Sequence, residues 1–171
     1  MTHAERIAEV LRYRRDDCSV GRTLEVLGER WTMVVLREAF FGVRRFEDFL
    51  ATVGCARNVL SDRLATLVAE GVLRREPYRD EGQRERMQYR LTEKGLEIFP
   101  ILMALLAWGD KHLTGRAGPP LRVEHRGCGA AVHVEVRCAA GHGPLGPRET
   151  TPVPTKAAGR RGASRPRTGG L

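Results

Sequence analysis

Two groups of side chains in this 171-residue chain have the types and spacing to do chemistry. The first lies in "NVLSDRLATLVAEGVLRRE", a segment that reads as a helix closed by Gly71 and followed directly by a strand. Arg57, Asn58, Ser61 and Asp62 crowd its start, with Arg63 near the outer face. Arginine and asparagine present paired hydrogen-bonding groups that match the edges of guanine and adenine, and a helix fits the major groove of duplex DNA. Downstream, "RDEGQRER" places Arg79, Arg84 and Arg86 in a polar turn between two strand-like runs, where they can approach phosphates or the minor groove. The plainer alternative is a solvated helix face beside a surface turn, because Asp80, Glu81 and Glu85 offset much of that charge. The second group is "HRGCGAAVHVEVRCAAGH": His125-x2-Cys128 and Cys138-x3-His142, separated by the alternation Val132, Val134, Val136. Four N and S donors at one end of a hairpin have the chemistry to hold zinc, and a metal-free remnant is the alternative.

These residues need a frame. A content of 42% hydrophobic and 29% charged residues is that of a globular chain with room for one good core and a small appendage. The net charge of +8 is unevenly placed. Lys156, Arg160, Arg161, Arg165 and Arg167 follow Glu149 with no acid among them, so residues 1–150 hold the remaining +3. Basicity alone is therefore a weak argument for nucleic-acid binding by the folded part. No apolar run approaches the length of a membrane span, and the opening residues lack a leader pattern, so the expected compartment is the cytoplasm. Four cysteines in that compartment read as thiols or metal ligands rather than staples.

The apolar periodicity predicts helices over Thr23–Leu27, Trp31–Phe41 (Met33, Val34, Leu36 and Ala39 inward), Arg45–Val53 (Phe46, Phe49 and Leu50 inward) and residues 56–70 (Val59, Leu60, Leu64, Leu67 and Val68 inward). Strands are expected over Val72–Tyr78 and Met87–Leu91, joined as a hairpin. Thr92 is placed to cap a long helix with a stripe of Leu96, Phe99, Leu102, Met103, Leu106 and Leu113, and Pro100 predicts a kink or restart. Composition divides the chain into residues 1–115, a Cys/His hairpin over 116–150, and a basic Pro/Gly tail over 151–171 with too little apolar surface to fold. Helices followed by a two-stranded hairpin are the order of a winged helix-turn-helix, a mainly α fold with a small β wing. Helix 56–70 then reads and wing 78–90 anchors.

From Cys18 to His112 the chain resembles the HxlR family of bacterial transcriptional regulators. The resemblance rests on "CSVGRTLEVLGERWTMVVLREAFFGVRRFEDFL", the helix quoted above, "YRLTEKG" and "LLAWGDKH", which contain Gly-x-x-Trp-Thr, Arg-Arg-Phe, Leu-Ser-x-Arg-Leu and Leu-Thr-x-x-Gly in order. It implies a homodimeric, DNA-binding winged helix, most often a repressor, paired through terminal helices. The Leu96–Leu113 stripe and the segment Ile7–Leu11 suit that pairing, although such a stripe can equally face its own core. In some relatives a cysteine at the position of Cys18 senses electrophiles or oxidants. Here Cys-Ser replaces the usual Cys-Pro; Arg14 and Arg15 favour a thiolate, while Asp16 and Asp17 oppose it. The alternative for Cys18 is a small packing residue. Cys55 is a poor helix cap and is given no role.

No enzyme motif stands out, with neither a phosphate loop nor Gly-x-Ser-x-Gly, and Glu93 and Glu97 read as solvated charges. Two other functions fit the same elements: a MarR-like regulator with a ligand pocket between dimer helices, or a winged-helix module that binds protein.

Overall fold

The computed structural model describes residues 18–153. Ile7–Leu11, Arg14, Arg15, Asp16, Asp17 and the tail beyond residue 153 lie outside the described residues. The chain divides into two compact units. Val26–Glu135 is one; the other comprises Met1–Glu25 and Val136–Leu171, of which residues 18–25 and 136–153 are described.

The elements are helices α1 (Ser19–Leu27), α2 (Arg30–Phe40), α3 (Phe46–Val53) and α4 (Arg57–Ala69), strands β1 (Leu73–Tyr78) and β2 (Arg86–Leu91), then α5 (Glu93–Leu96) and α6 (Phe99–His112). This is the expected winged-helix order. The two strands pair antiparallel, Leu73 opposite Leu91 and Tyr78 opposite Arg86. Tyr89 N also donates to Arg44 O (2.8 Å), which ties the inner edge of the wing to the segment entering α3.

Leucines at a helical spacing explain α4. Leu60, Leu64 and Leu67 are fully buried, and Val59 and Val68 flank them half-buried. The three leucines, with Val68 packed against them, share one core with Val35 and Leu36 of α2, Phe49 and Val53 of α3, and Val72, Leu73 and Tyr89 of the wing. The face of α2 is rotated from the expected one. Val35, Leu36 and Thr32 are buried, whereas Met33, Val34 and Ala39 are half-buried. The wide apolar face serves two neighbours, because Met33 and Val34 line a cavity with Leu102, Met103 and Leu106 of α6.

Two glycines shape the reader's surroundings. Gly54, at φ 75°, ends α3 in the left-handed conformation and makes the helix-turn-helix corner. Gly95 answers a different demand. A Cβ there would lie 2.2 Å from Val72 O, so only glycine lets α5 cross the start of the wing this closely. Thr92 locks the same junction: its hydroxyl accepts from Gly95 N (3.1 Å) and donates to Gly71 O (2.6 Å), and its N–H donates to Val72 O (3.1 Å). That is the physical content of Leu-Thr-x-x-Gly.

The helix capped by Thr92 is shorter than expected. It stops at Leu96, and a new helix starts at Phe99 with Pro100 in its first turn, where a missing N–H costs nothing. The anticipated stripe also divides. Leu102 and Met103 are buried in their own unit and Phe99 packs against Phe40 with the rings tilted (5.4 Å between ring centres), while Leu96 and Leu113 are exposed. Exposed beside them are Ile101, Leu105 and Trp108, a second apolar side absent from the predicted stripe.

The valine alternation forms no long strand. Val132, Val134 and Val136 are all exposed, and the pairing near them is a single bridge, Glu124 with Ala131. With no apolar layer to cover them, alternating valines gain nothing from extending a sheet.

Candidate nucleic-acid interface

Burial of Leu60, Leu64 and Leu67 forces the opposite face of α4 outward. Arg57, Asn58, Ser61 and Asp62 are all exposed on it, as the spacing required. Arg63 is not on the outer face: it is half-buried, because it follows the exposed pair by one residue and turns toward the core side. Ala65 takes its place in the exposed row. A small apolar side chain in that row can meet a thymine methyl, a contact that a search for polar residues misses. The residue before α4 is Ala56, which offers no side-chain cap, so the first N–H groups of the helix stay open to an anion such as a phosphate. Cys55 is neither cap nor reader. It packs half-buried against the core.

On the wing, Arg79, Arg84 and Arg86 are exposed, and Arg79 and Arg84 make no ion pair among the described residues. The neutralisation anticipated from composition falls elsewhere. Glu76 takes both Arg74 (2.8 Å) and Arg90 (2.7 Å), and Asp80 takes Arg45 (2.7 Å), whose guanidinium lies 4.5 Å over the Tyr78 ring. Arg79 and Arg84 at the tip are therefore left available among the described residues, while Arg74 and Arg90 on the strands are occupied.

Between the wing and the start of α3 lies a cleft of about 570 Å³ lined by Arg45, Phe46, Glu47, Asp48, Tyr78, Arg86 and Met87. Glu47 reaches from its edge to Arg57. Both carboxylate oxygens accept from the two terminal guanidinium nitrogens (2.9 Å each), and the guanidinium sits 5.2 Å over Phe46. Hydrogen bonding from Arg57, helped by the charge of Arg86, holds the Glu47 carboxyl below its ordinary range; the same bonds raise Arg57 above its own. Likewise the hydrogen bond to Asp80 raises Arg45. Neither Glu47 nor Arg45 was among the residues expected from the sequence, since the signal is a contact across 10 and 35 residues respectively.

The fold that carries this arrangement has counterparts among known proteins. A family model described as HxlR-like helix-turn-helix matches residues 26–116. The "Uncharacterized HTH-type transcriptional regulator" Rv3095 of Mycobacterium tuberculosis is 42% identical over 144 residues, covering 84% of this chain and 90% of the relative. The chain belongs to the HxlR-like helix-turn-helix family. It is thus a helix-turn-helix transcriptional regulator of the HxlR type. Two solved structures are also similar. The candidate transcription factor PA1607 superposes with a TM-score of 0.73 at 34% identity, over 81% of this chain and 96% of that one. The oxidized form of the redox regulator HypR gives 0.52 at 28% identity, over 57% of this chain and 100% of that one.

Outside the helix-turn-helix of this HxlR-like chain, the candidate metal ligands fall into two close pairs, each in its own unit. His125 Nδ1 is 3.3 Å from Cys128 Sγ, in a turn closed by His125 N donating to Ala130 O. Cys138 Sγ is 3.4 Å from His142 Nδ1, in a turn closed by Cys138 N donating to His142 O. Gly129 and Gly141 make these turns with positive φ. Among the described residues of either unit, no third His, Cys, Asp or Glu joins a pair, so each alone supplies two of the four donors of a closed zinc site. Cys18 is exposed just before α1, not packed in a core. No helix among the described residues is long and apolar enough to cross a membrane.

Proposed function

We propose that this regulator binds specific duplex DNA as a homodimer, reads the major groove with α4, and anchors on the backbone with the wing. The observation that carries it is the outward row Arg57, Asn58, Ser61 and Asp62 beside wing-tip arginines Arg79 and Arg84, which have no ion-pair partner among the described residues. Dimerisation is supported by the uncovered apolar residues of α6, Ile101, Leu105 and Trp108, since monomers rarely leave such neighbours in water. Two copies then present two reading helices, and half-sites fall about one helical turn of DNA apart or a multiple of it. Repression is the simplest output, because a dimer seated on a promoter excludes polymerase without further contacts. The test is a mobility shift across a salt series with sedimentation alongside. Wild type should shift selected duplexes with a steep salt dependence and sediment as a dimer. Trp108→Glu puts a charge into the pairing face and should weaken the dimer on the order of tenfold or more. A monomer at micromolar concentration with no footprint on its own promoter would sink the reading, and a protein-binding module would show no steep salt slope with duplex DNA.

A redox input through Cys18 is the second reading. It is favoured by the exposure of that thiol and by the likeness to a redox regulator. Diamide takes two electrons and two protons from Cys18 and a small thiol, leaving a mixed disulfide that excess thiol reverses. DNA affinity should fall under diamide and return with reductant. Cys18→Ser should bind normally and ignore the oxidant, while Cys128→Ser keeps the response. An unreactive Cys18 would remove this input and leave DNA binding untouched.

A further inference from the structure

Arg57 is the reader best placed to recognise guanine, and Glu47 holds it before any DNA arrives. The side chains are 61% and 66% exposed, so the pair is not part of the core, and exposed pairs of this kind contribute little to folding. Its geometry is nevertheless tightly specified. The carboxylate closes a two-bond fork on the ends of the guanidinium, and the central guanidinium carbon lies over the Phe46 ring, 5.2 Å from its centre. A long, flexible side chain is thereby restricted to one plane and one reach. An arginine carries five N–H donors. Two are spent on Glu47, and the edge formed by Nε–H and a neighbouring Nη–H remains free to make the paired contact that guanine O6 and N7 accept. Arg45, two residues before Glu47, fixes the wing through Asp80 and Tyr78, so the start of α3 sets both the reader and the anchor.

We propose that Glu47 is a positioning residue for base recognition: it fixes the Arg57 guanidinium in the orientation that selects guanine, and so sets specificity without touching DNA. This rests on the reading of α4 as the recognition helix. The competing role is a plain negative charge near the duplex, or a carboxylate that Arg57 abandons for a phosphate. Both would make Glu47 a brake on all DNA alike. A fixed guanidinium instead gains at one base pair, because the entropy of ordering it is already spent when guanine is met.

The experiment is a selection from a randomised duplex pool, sequenced after binding to the full-length protein. The variants are Glu47→Gln, Arg57→Ala, their double mutant, and Asp48→Asn as an adjacent charge control. Arg57→Ala and Glu47→Gln should lose preference at the same base pair, with discrimination there falling about tenfold. In the Arg57→Ala background, Glu47→Gln should cause no further loss, and Asp48→Asn should leave the preferred sequence as it is. Matching melting temperatures would separate these changes from damage to the fold. Glu47→Gln that tightens every duplex by one factor, with the ranking intact, would overturn the proposal. So would a wild-type preference that survives Arg57→Ala. A wild type that selects no sequence at all overturns the recognition-helix reading as well.

Discussion

Phe49→Ala lowers the folding stability by about 3–5 kcal/mol, the range for removing a buried aromatic ring from a packed core. Phe49 has no exposed surface and meets Tyr89 edge to face with ring centres 6.3 Å apart, so the substitution removes ring burial and an aromatic contact together. Its position makes the loss cooperative. The ring sits where α3 meets β2, and Tyr89 is also the residue whose N–H is bonded to Arg44 O. Collapse around the hole would have to shift either the helix that carries Glu47 or the wing. A denaturant titration checks the magnitude. Phe49→Leu keeps most of the volume and should cost less than about 1.5 kcal/mol. Equal losses for the two would mean that ring shape, not volume, is what the site demands.

The second large effect separates reading from anchoring. Arg57→Ala or Asn58→Ala should relax base preference by about 1–3 kcal/mol at particular positions, because each is an exposed side chain on α4 able to pair with a base edge. Arg84→Ala should weaken all duplexes nearly equally and flatten the salt slope by about one unit, since it removes one phosphate contact with its released counterion. Arg84 suits this test better than Arg86, whose charge also acts on Glu47. Affinities over a salt series, for a selected duplex and for its single-base variants, distinguish the two classes. A wing substitution that changes base preference would reverse the assignment of reader and anchor.

Much of this was legible in the sequence because the relevant physics is local. Leucine spacing told which side of α4 faces inward, and therefore which polar residues face out. Glycines marked the ends of α3 and α4, and Pro100 marked the restart before α6. Errors arose where burial depends on a partner far along the chain. Met33 and Val34 count as apolar in any periodicity, but whether they meet α4 or α6 is decided by packing. Arg63 looked like its exposed neighbours until the turn of the helix around the core placed it half-buried. The valine alternation had the period of a strand without the second layer that makes a strand worthwhile.

The sequence by itself determined the order of helices and hairpin, the outward polar row of α4 and the basic turn of the wing. These follow from the 3.6 and 2.0 periods and from where glycine and proline interrupt them. Only the tertiary structure decided which of those charges are free. Arg45, Arg57, Arg74 and Arg90 are each paired with an acid, whereas Arg79 and Arg84 have no such partner among the described residues. Except for Arg74, which lies two residues from Glu76, those pairings span 10 residues or more of chain. An ion pair falls off over a few ångströms in space, and no local periodicity encodes a distance between residues so far apart in sequence.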